Sequence, residues 1–284
     1  MLTRQLIHTV VQAALVEDAP WGDVTSQLLI PETASATARL VAREPGTFAG
    51  GEVFAAAMTL TDPSIEVTLH VPDGAAFAAG DALATATGPA RSVLQGERVA
   101  LNFTQRMSGI ATLTASFVAE VAHTSARIVD TRKTTPGLRA FERHAVRAGG
   151  GHNHRYSLSD AVMAKDNHLA VLTAQTGLTV TEALLRVREQ LSHTTHLEVE
   201  VDRIDQIEPV LAAGVDTIML DNFTLDELRE GVARVAGRAI VEASGNVSLA
   251  TVRSIAETGV DVISAGSLTH SVRSLDLGLD VVVE

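Results

Sequence analysis

The chain has 284 residues, 46% of them hydrophobic, and carries 22 Lys and Arg against 34 Asp and Glu for a net charge of -12. That length buries a substantial core and suits a barrel enzyme with or without a smaller companion domain, whereas the acidic balance excludes a general nucleic-acid surface, which needs clustered positive charge. The absence of cysteine excludes disulfides, thiolate nucleophiles and cysteine-ligated metal, and with neither a leader-like segment nor a membrane-length apolar run in the sequence, a cytoplasmic protein without membrane contact is expected.

Leu6, Ile7, Val10, Val11, Ala14 and Leu15 place one apolar stripe on an opening helix that Pro20 and Gly22 stop. From Thr37 to Val93 the pattern changes to short alternating runs such as Ile65, Val67, Leu69 and Val71, punctuated by Pro72-Asp73-Gly74, Gly80-Asp81 and Gly88-Pro89, which predicts a small sheet-rich domain. Ser92 and Gln95 have capping-box spacing for a helix through Leu94, Leu101 and Arg106 to about Gly109, leading into a second domain.

From Arg127 onward one unit repeats: a short apolar run, a polar cluster, then a helical pattern. The runs are Arg127–Asp130, Ala161–Ala164, Leu197–Val201, Thr217–Leu220, Ala239–Val241 and Val260–Ile263. Helical stripes lie between them, for instance Leu138, Phe141, Ala145 and Val146, then Val180, Ala183, Leu184, Val187 and Leu191, then Leu225, Leu228, Val232 and Val235. Such βα alternation predicts parallel strands covered by helices. Each polar cluster follows its strand: Thr131-Arg132-Lys133, Lys165-Asp166-Asn167, Glu198 and Glu200, Asp221-Asn222, Ser244-Gly245-Asn246, and Ala265-Gly266-Ser267. Polar groups at one end of six consecutive strands fit a barrel mouth, where a doubly wound sheet would gather them at its switch point. A barrel of about six or seven strands is therefore expected, with the N-terminal domain outside it.

Only two of the basic residues are lysines, Lys133 and Lys165, and the five asparagines, Asn102, Asn153, Asn167, Asn222 and Asn246, all lie in short polar clusters. Both rare types mark candidate chemistry. The basic and histidine-rich stretch from Arg127 to Lys165 predicts an anion site in which Arg forks and Lys point charges hold different anions, although Arg139, Arg143 and Arg147 recur every four residues as a solvated helix face would. Gly149-Gly150-Gly151 brings bendable backbone to His152-Asn153-His154-Arg155. His152 and His154, with His168 as a third donor, have the types for zinc, but the surrounding cations oppose a metal there. Glu200 and Asp221 suit Mg²⁺ or ribose hydroxyls, or else pair with Arg155 or Lys165. Ser244-Gly245-Asn246 and Ala265-Gly266-Ser267, at the last two strand ends, offer backbone N–H groups to a phosphate.

Longer motifs then follow one another in order. They are Glu17-Asp18 with Gly22-Asp23-Val24-Thr25, the run from Leu101 through Arg106 to Thr112, Asp130-Thr131-Arg132-Lys133-Thr134-Thr135-Pro136-Gly137, Gly149 to Arg155, Lys165-Asp166-Asn167-His168, Glu198-Val199-Glu200-Val201-Asp202, and Leu220-Asp221-Asn222-Phe223. Together they resemble the quinolinate phosphoribosyltransferase family over essentially the whole chain. The resemblance implies an incomplete parallel α/β barrel over residues 109–269 and an N-terminal α+β open-sandwich domain over 1–108, completed by 270–284. It implies transfer of phosphoribose from phosphoribosyl pyrophosphate to quinolinate with decarboxylation, giving nicotinate mononucleotide, pyrophosphate and CO₂ in NAD biosynthesis. It also implies a homodimer whose active site is shared, Arg106 crossing to the partner's barrel mouth.

By the same resemblance Arg106, Arg132, His154, Arg155 and Lys165 receive the two quinolinate carboxylates, Lys133 helps to hold phosphoribosyl pyrophosphate, and Thr131 is a further substrate-binding residue. Glu200 and Asp221 hold its ribose and Mg²⁺, directly or through water, and act with Lys165 in catalysis. Residues Ser244, Gly245, Asn246, Ala265, Gly266 and Ser267 surround its 5′-phosphate. Three rivals stand beside this reading: the related paralogue of molybdenum-transport operons, a Schiff-base lyase using Lys165 or Lys133 that borohydride would trap, and a non-catalytic anion binder, which Glu200 and Asp221 disfavour because they would repel its ligand without a cation.

Overall fold

A computed structural model describes residues 2–283. In chain order the elements are α1 (Arg4–Asp18), α2 (Val24–Leu29), β1 (Ser35–Ala42), β2 (Gly46–Thr47), α3 (Gly51–Thr61), β3 (Glu66–Leu69), β4 (Ala76–Phe77), β5 (Ala82–Pro89), α4 (Ala90–Val121), β6 (Arg127–Val129), α5 (Arg139–Ala148) and β7 (Val162–Ala164). There follow α6 (Asp166–Thr176), α7 (Val180–Gln190), β8 (Leu197–Val201), α8 (Ile207–Leu211), β9 (Thr217–Asp221), α9 (Leu225–Val235), β10 (Ile240–Ser244), α10 (Val252–Ala256), β11 (Val262–Ser264), α11 (Ser267–His270) and β12 (Leu277–Val283). The chain divides into two units that interleave in sequence: one holds residues up to Ala115, Thr134–Gly150 and those from Ser271 on, the other Ser116–Lys133 and Gly151–His270. Among the described residues no helix is long and apolar enough to cross a membrane.

The first unit is built on an antiparallel sheet in the order β12-β1-β5-β3. β1 alternates outward and inward, so Ala36, Ala38, Leu40 and Ala42 are buried on one face. The last strand closes this sheet by pairing β12 to β1, Leu40 opposite Leu279. Ile7, Val11 and Leu15 bury the stripe of α1 as its spacing predicts. Between Thr37 and Val93, where alternation predicts sheet alone, α3 is a correction: Ala55, Ala56 and Ala57 favour helix, and Val53, Phe54 and Met58 are buried from it. Segment Thr134–Gly150 belongs here because α5 packs on α4. The rings of Phe103 and Phe141 lie 5.4 Å apart, and Arg106 pairs with the buried Glu142 at 2.7 Å.

α4 also corrects the predicted helix at both ends. It begins at Ala90, directly after β5, and Ser92 donates its hydroxyl to Asp62 at 2.8 Å rather than capping. It passes Gly109 without stopping, because that glycine is a packing residue: a Cβ there would lie 2.2 Å from the carbonyl oxygen of Arg273.

Asp73, in the expected Pro72-Asp73-Gly74 turn, caps α3 from a distance. The N-cap Gly50 has no side chain to accept the first helical N–H groups, so the Asp73 carboxylate accepts from Gly50 and Gly51 at 3.0 Å and from His144 Nε2 at 2.7 Å. Burial alone would raise the Asp73 carboxyl, but these donors outweigh it and hold it below its ordinary 3.8. A depressed folded-state pKa gives stability that is present above the unfolded value and lost as pH falls below it. Asp73→Ala should therefore cost about 1–3 kcal/mol at pH 7. Urea melts should show the gap to the parent shrinking below about pH 4; an undiminished gap there would mean the carboxylate is not the cause.

The second unit holds six parallel strands in the order β6-β11-β10-β9-β8-β7. Its first strand pairs with its last, as in a barrel, but β6 and β7 do not pair, which makes the barrel incomplete. On the open side of β6 the glycine-led segment supplies a single bridge, His152 to Val129, instead of a seventh strand.

Candidate active site

In a strand, side chains two apart share a face, and the parallel register aligns those faces across the sheet. Glu200 and Glu242 both stand level with Met219, and Asp221 stands level with Ser244. Met163 shares a face with Lys165, Glu198 with Glu200, and Val262 with Ser264 by the same period. From this face Met163, Lys165, Glu200, Met219, Asp221, Glu242, Ser244 and Ser264 line a cavity of about 600 Å³ together with Thr131, Arg132, Lys133, His154, Arg155, Asn222, Gly245 and Asn246. The structure thus brings together Thr131, Arg132, Lys133, His154, Arg155, Lys165, Glu200, Asp221, Ser244, Gly245 and Asn246, drawn from five strand ends and the His152–Arg155 segment.

Two expected groups lie elsewhere. Ala265, Gly266 and Ser267 are not in this wall, which Ser264 completes. Ala265 is buried and donates its N–H to the Val129 carbonyl at 3.1 Å, and Gly266 backs onto the stem of Lys133, whose Cδ would lie 2.9 Å from a Cβ there. Arg106 belongs to the first unit, in a cavity of about 300 Å³ that also takes Glu17, Asp18 and Asn102, so two of the longer sequence motifs meet there. Its Nε and Nη2 donate to Glu142 Oε1 at 2.9 and 2.7 Å, and Thr135 donates to the same carboxylate through its N–H and its hydroxyl.

The cavity of the second unit sets basic groups beside acidic ones, Lys165 paired with Glu200 and His154 with Glu242. Arg155 reaches the Ala161 carbonyl at 3.0 Å, and burial together with repulsion from Arg132 pulls its guanidinium below the usual arginine value. Two forks close enough to oppose each other's charge are a pair of types suited to carboxylate or phosphate. Lys165 ends β7 and caps α6, its backbone N–H held by His168 Nδ1 at 3.0 Å while its ammonium donates to Glu200. Asp221 accepts from Asn222 Nδ2 at 2.7 Å. Glu200 and Asp221 offer only carboxylate oxygens, a donor set that fits Mg²⁺ and not a thiophilic metal.

The turn after β10 is tightly specified. Gly245 has φ 92°, and Asn222 and Asn246 are left-handed at φ 58° and 50°. Asn246 Nδ2 donates to Asn222 Oδ1 at 3.1 Å, and the Asn222 N–H donates to the Ser244 carbonyl at 2.9 Å. Asn tolerates this region better than other side chains do, which accounts for Asn246 where glycine would also serve.

His154 and Glu242, both in this wall, form a cluster with Glu198, and neither glutamate was assigned a role from the sequence. His154 Nε2 is 3.1 Å from Glu198 and 3.5 Å from Glu242. Burial pulls the imidazole down, but the two carboxylates outweigh it and push it up to about 10; burial, aided by the charge of Glu242, raises the Glu198 carboxyl. The Arg155 N–H donates to His154 Nδ1 at 2.7 Å, so the ring presents its Nε2–H to the two carboxylates. The three donor atoms lie within 4.8 Å, as a metal would need, and His152 and His168 are not among them. A metal on Nε2 calls for a protonated Nδ1, and Nδ1 here faces an N–H. Glu242, Met163, Met219 and Ser264 escaped the sequence reading because they sit inside apolar runs; the signal available was period two, since Glu242 precedes Ser244 as Glu198 precedes Glu200.

Comparison with known proteins gives one consistent result. Residues 23–108 match the description "Quinolinate phosphoribosyl transferase, N-terminal domain" and residues 110–280 the corresponding C-terminal domain. A probable nicotinate-nucleotide pyrophosphorylase [carboxylating] of Bacillus subtilis (strain 168) is 42% identical over 266 residues, 94% of this chain and 90% of its own. The nicotinate-nucleotide pyrophosphorylase [carboxylating] of Mycobacterium leprae (strain TN) is 42% identical over 280 residues, 95% of each chain. The crystal structure of NadC from Streptococcus pyogenes superposes with a TM-score of 0.94 at 39% identity, over 100% of this chain and 99% of that one.

Proposed function

The chain belongs to the quinolinate phosphoribosyl transferase family and is a decarboxylating phosphoribosyltransferase of NAD biosynthesis, and from that premise we propose which of its residues carry the reaction. Arg132, His154, Arg155 and Lys165 receive the two carboxylates of quinolinate, and Thr131 and Lys133 hold phosphoribosyl pyrophosphate. Glu200 and Asp221 hold its ribose, and Ser244, Gly245 and Asn246, with the Ala265-Gly266-Ser267 segment behind, surround its 5′-phosphate. The observation that supports this most directly is the single cavity in which forks, ammonium groups, carboxylates and a glycine turn converge.

The pyridine nitrogen attacks the ribose carbon as pyrophosphate leaves. Positive charge grows on the sugar, where Glu200 and Asp221 oppose it, and negative charge grows on the leaving group, where Lys133 is placed to meet it. Once quaternised, the ring accepts the electron pair of the bond to the adjacent carboxylate, CO₂ departs and the ring carbon left behind takes up a proton, while Arg132 and Arg155 keep the ring from turning. Mg²⁺, when held by the oxygens of Glu200 and Asp221, neutralises phosphate charge. Quinolinate-dependent release of pyrophosphate and CO₂ tests the assignment, and excess EDTA should abolish it; full activity in EDTA would remove the metal from the scheme.

The enzyme is proposed to work in the cytoplasm as a homodimer, Arg106 of one subunit completing the barrel mouth of the other. Trp21, 91% exposed, and Val24, Leu28 and Leu29, all exposed, form an apolar face on and beside α2 that supports an interface. Arg106→Ala and Lys165→Ala should each be inactive alone, and subunit exchange between them should restore activity by forming one intact site per mixed dimer. No rescue despite proven exchange would rule out a shared site.

A further inference from the structure

Glu198 on β8 and Glu242 on β10 are among the most enclosed charged residues of the second unit, each 3% exposed. One oxygen of each faces His154 Nε2, at 3.1 and 3.5 Å. The other oxygen of each, Oε1, is buried with no hydrogen-bond partner among the described residues. A buried carboxylate left half satisfied is costly, and where stability alone is at stake apolar residues of similar size do as well or better. Two such groups on separate strands, converging on one imidazole, therefore call for a reason outside the core.

His154 links them to the cavity wall. Its backbone N–H donates to Asp130 Oδ1 at 2.8 Å, and its Nδ1 accepts the Arg155 N–H at 2.7 Å. Fixing Nε2 thus fixes the ring, and fixing the ring holds the start of Arg155, whose guanidinium reaches the Ala161 carbonyl at 3.0 Å. Neither carboxylate is assigned to the anion-binding set, and the oxygen of each that has a partner faces the ring.

We propose that Glu198 and Glu242 are positioning residues that clamp His154, and through it Arg155, in the geometry that receives quinolinate. The proposal rests on the reading of His154 and Arg155 as quinolinate ligands. Steady-state kinetics with quinolinate and phosphoribosyl pyrophosphate varied separately tests it on Glu198→Gln, Glu242→Gln, His154→Ala and the double variant His154→Ala/Glu242→Gln, with thermal melts of each. Glutamine keeps the shape and an acceptor oxygen but can turn its amide toward the ring. Each glutamine variant should raise the KM for quinolinate on the order of tenfold while leaving the KM for phosphoribosyl pyrophosphate within about twofold. In the His154→Ala background the Glu242→Gln change should alter the quinolinate KM by less than about twofold, because the group it acts through is gone.

An undiminished effect in that background would overturn the proposal, since the carboxylates would then act on the ligand or the fold directly. Wild-type quinolinate KM in both glutamine variants, with a raised KM in His154→Ala, would overturn it while sparing the underlying reading. An unchanged quinolinate KM in His154→Ala would instead overturn that reading. Should Glu198→Gln fail to fold, Glu242→Gln carries the test, and loss of fold in both would assign the pair to the core and overturn the proposal.

Discussion

Lys165→Arg should fold as the parent does and turn over quinolinate on the order of a hundredfold more slowly, the loss expected when reacting groups are misplaced by about 1 Å. Lys165 stands where β7 ends and α6 begins, its backbone held by His168 and its ammonium donating to Glu200. An ammonium is a compact charge that several oxygens can surround, whereas a guanidinium is broad, planar and directional. Arginine here would keep the charge, but its fork would match Glu200 side-on and push a carboxylate ligand away from the line of attack. The sequence makes the same point, since a chain with 22 basic residues writes lysine only at 133 and 165. Lys133→Arg is the companion test and should chiefly raise the KM for phosphoribosyl pyrophosphate. Near wild-type kcat and KM in both variants, with unchanged melting, would show the lysines to be incidental cations.

The second large effect is expected at Gly245. A Cβ built there lies 2.2 Å from Asn222 Oδ1 and 2.9 Å from the Asn222 backbone nitrogen, and the residue has φ 92°. Side-chain movement cannot clear a backbone atom, and the left-handed conformation adds strain of its own, on the order of 1–3 kcal/mol. Gly245→Ala should therefore either displace Asn222, breaking its bond from Asn246, or open the turn. In both cases backbone N–H groups leave the place where a phosphate would sit. The expected reading is a KM for phosphoribosyl pyrophosphate raised tenfold or more, on the order of 1.4 kcal/mol per decade, with the quinolinate KM less affected. A Gly245→Ala variant with the parent's KM for phosphoribosyl pyrophosphate would remove this turn from the phosphate site.

The βα repeat was legible because its signals are local. Apolar runs at Leu197–Val201 and Thr217–Leu220 recur as β8 and β9, and the stripes of α1, α5, α7 and α9 fall where a 3.6-residue period puts them. Helix ends and the split between units were less so. Gly109 reads as a stop by composition and is instead the point where α4 meets the backbone at Arg273, a contact between residues far apart in sequence. α3 was masked by alanines that carry no period of either kind.

By itself the sequence determined which residue types stand at each strand end, because a strand followed by a polar cluster is a local pattern, and its ordered motifs determined the family. Only the tertiary structure decided which of those groups face one another. Parallel register sets Glu200, Met219 and Glu242 at one level, leaves β6 and β7 unpaired, and keeps Ala265, Gly266 and Ser267 out of the cavity wall while bringing Ser264 into it. It also turned Glu242, hidden in an apolar run, toward His154. Register and facing are properties of strand pairs, fixed by hydrogen bonds between segments distant in the chain, so no local pattern in one strand contains them.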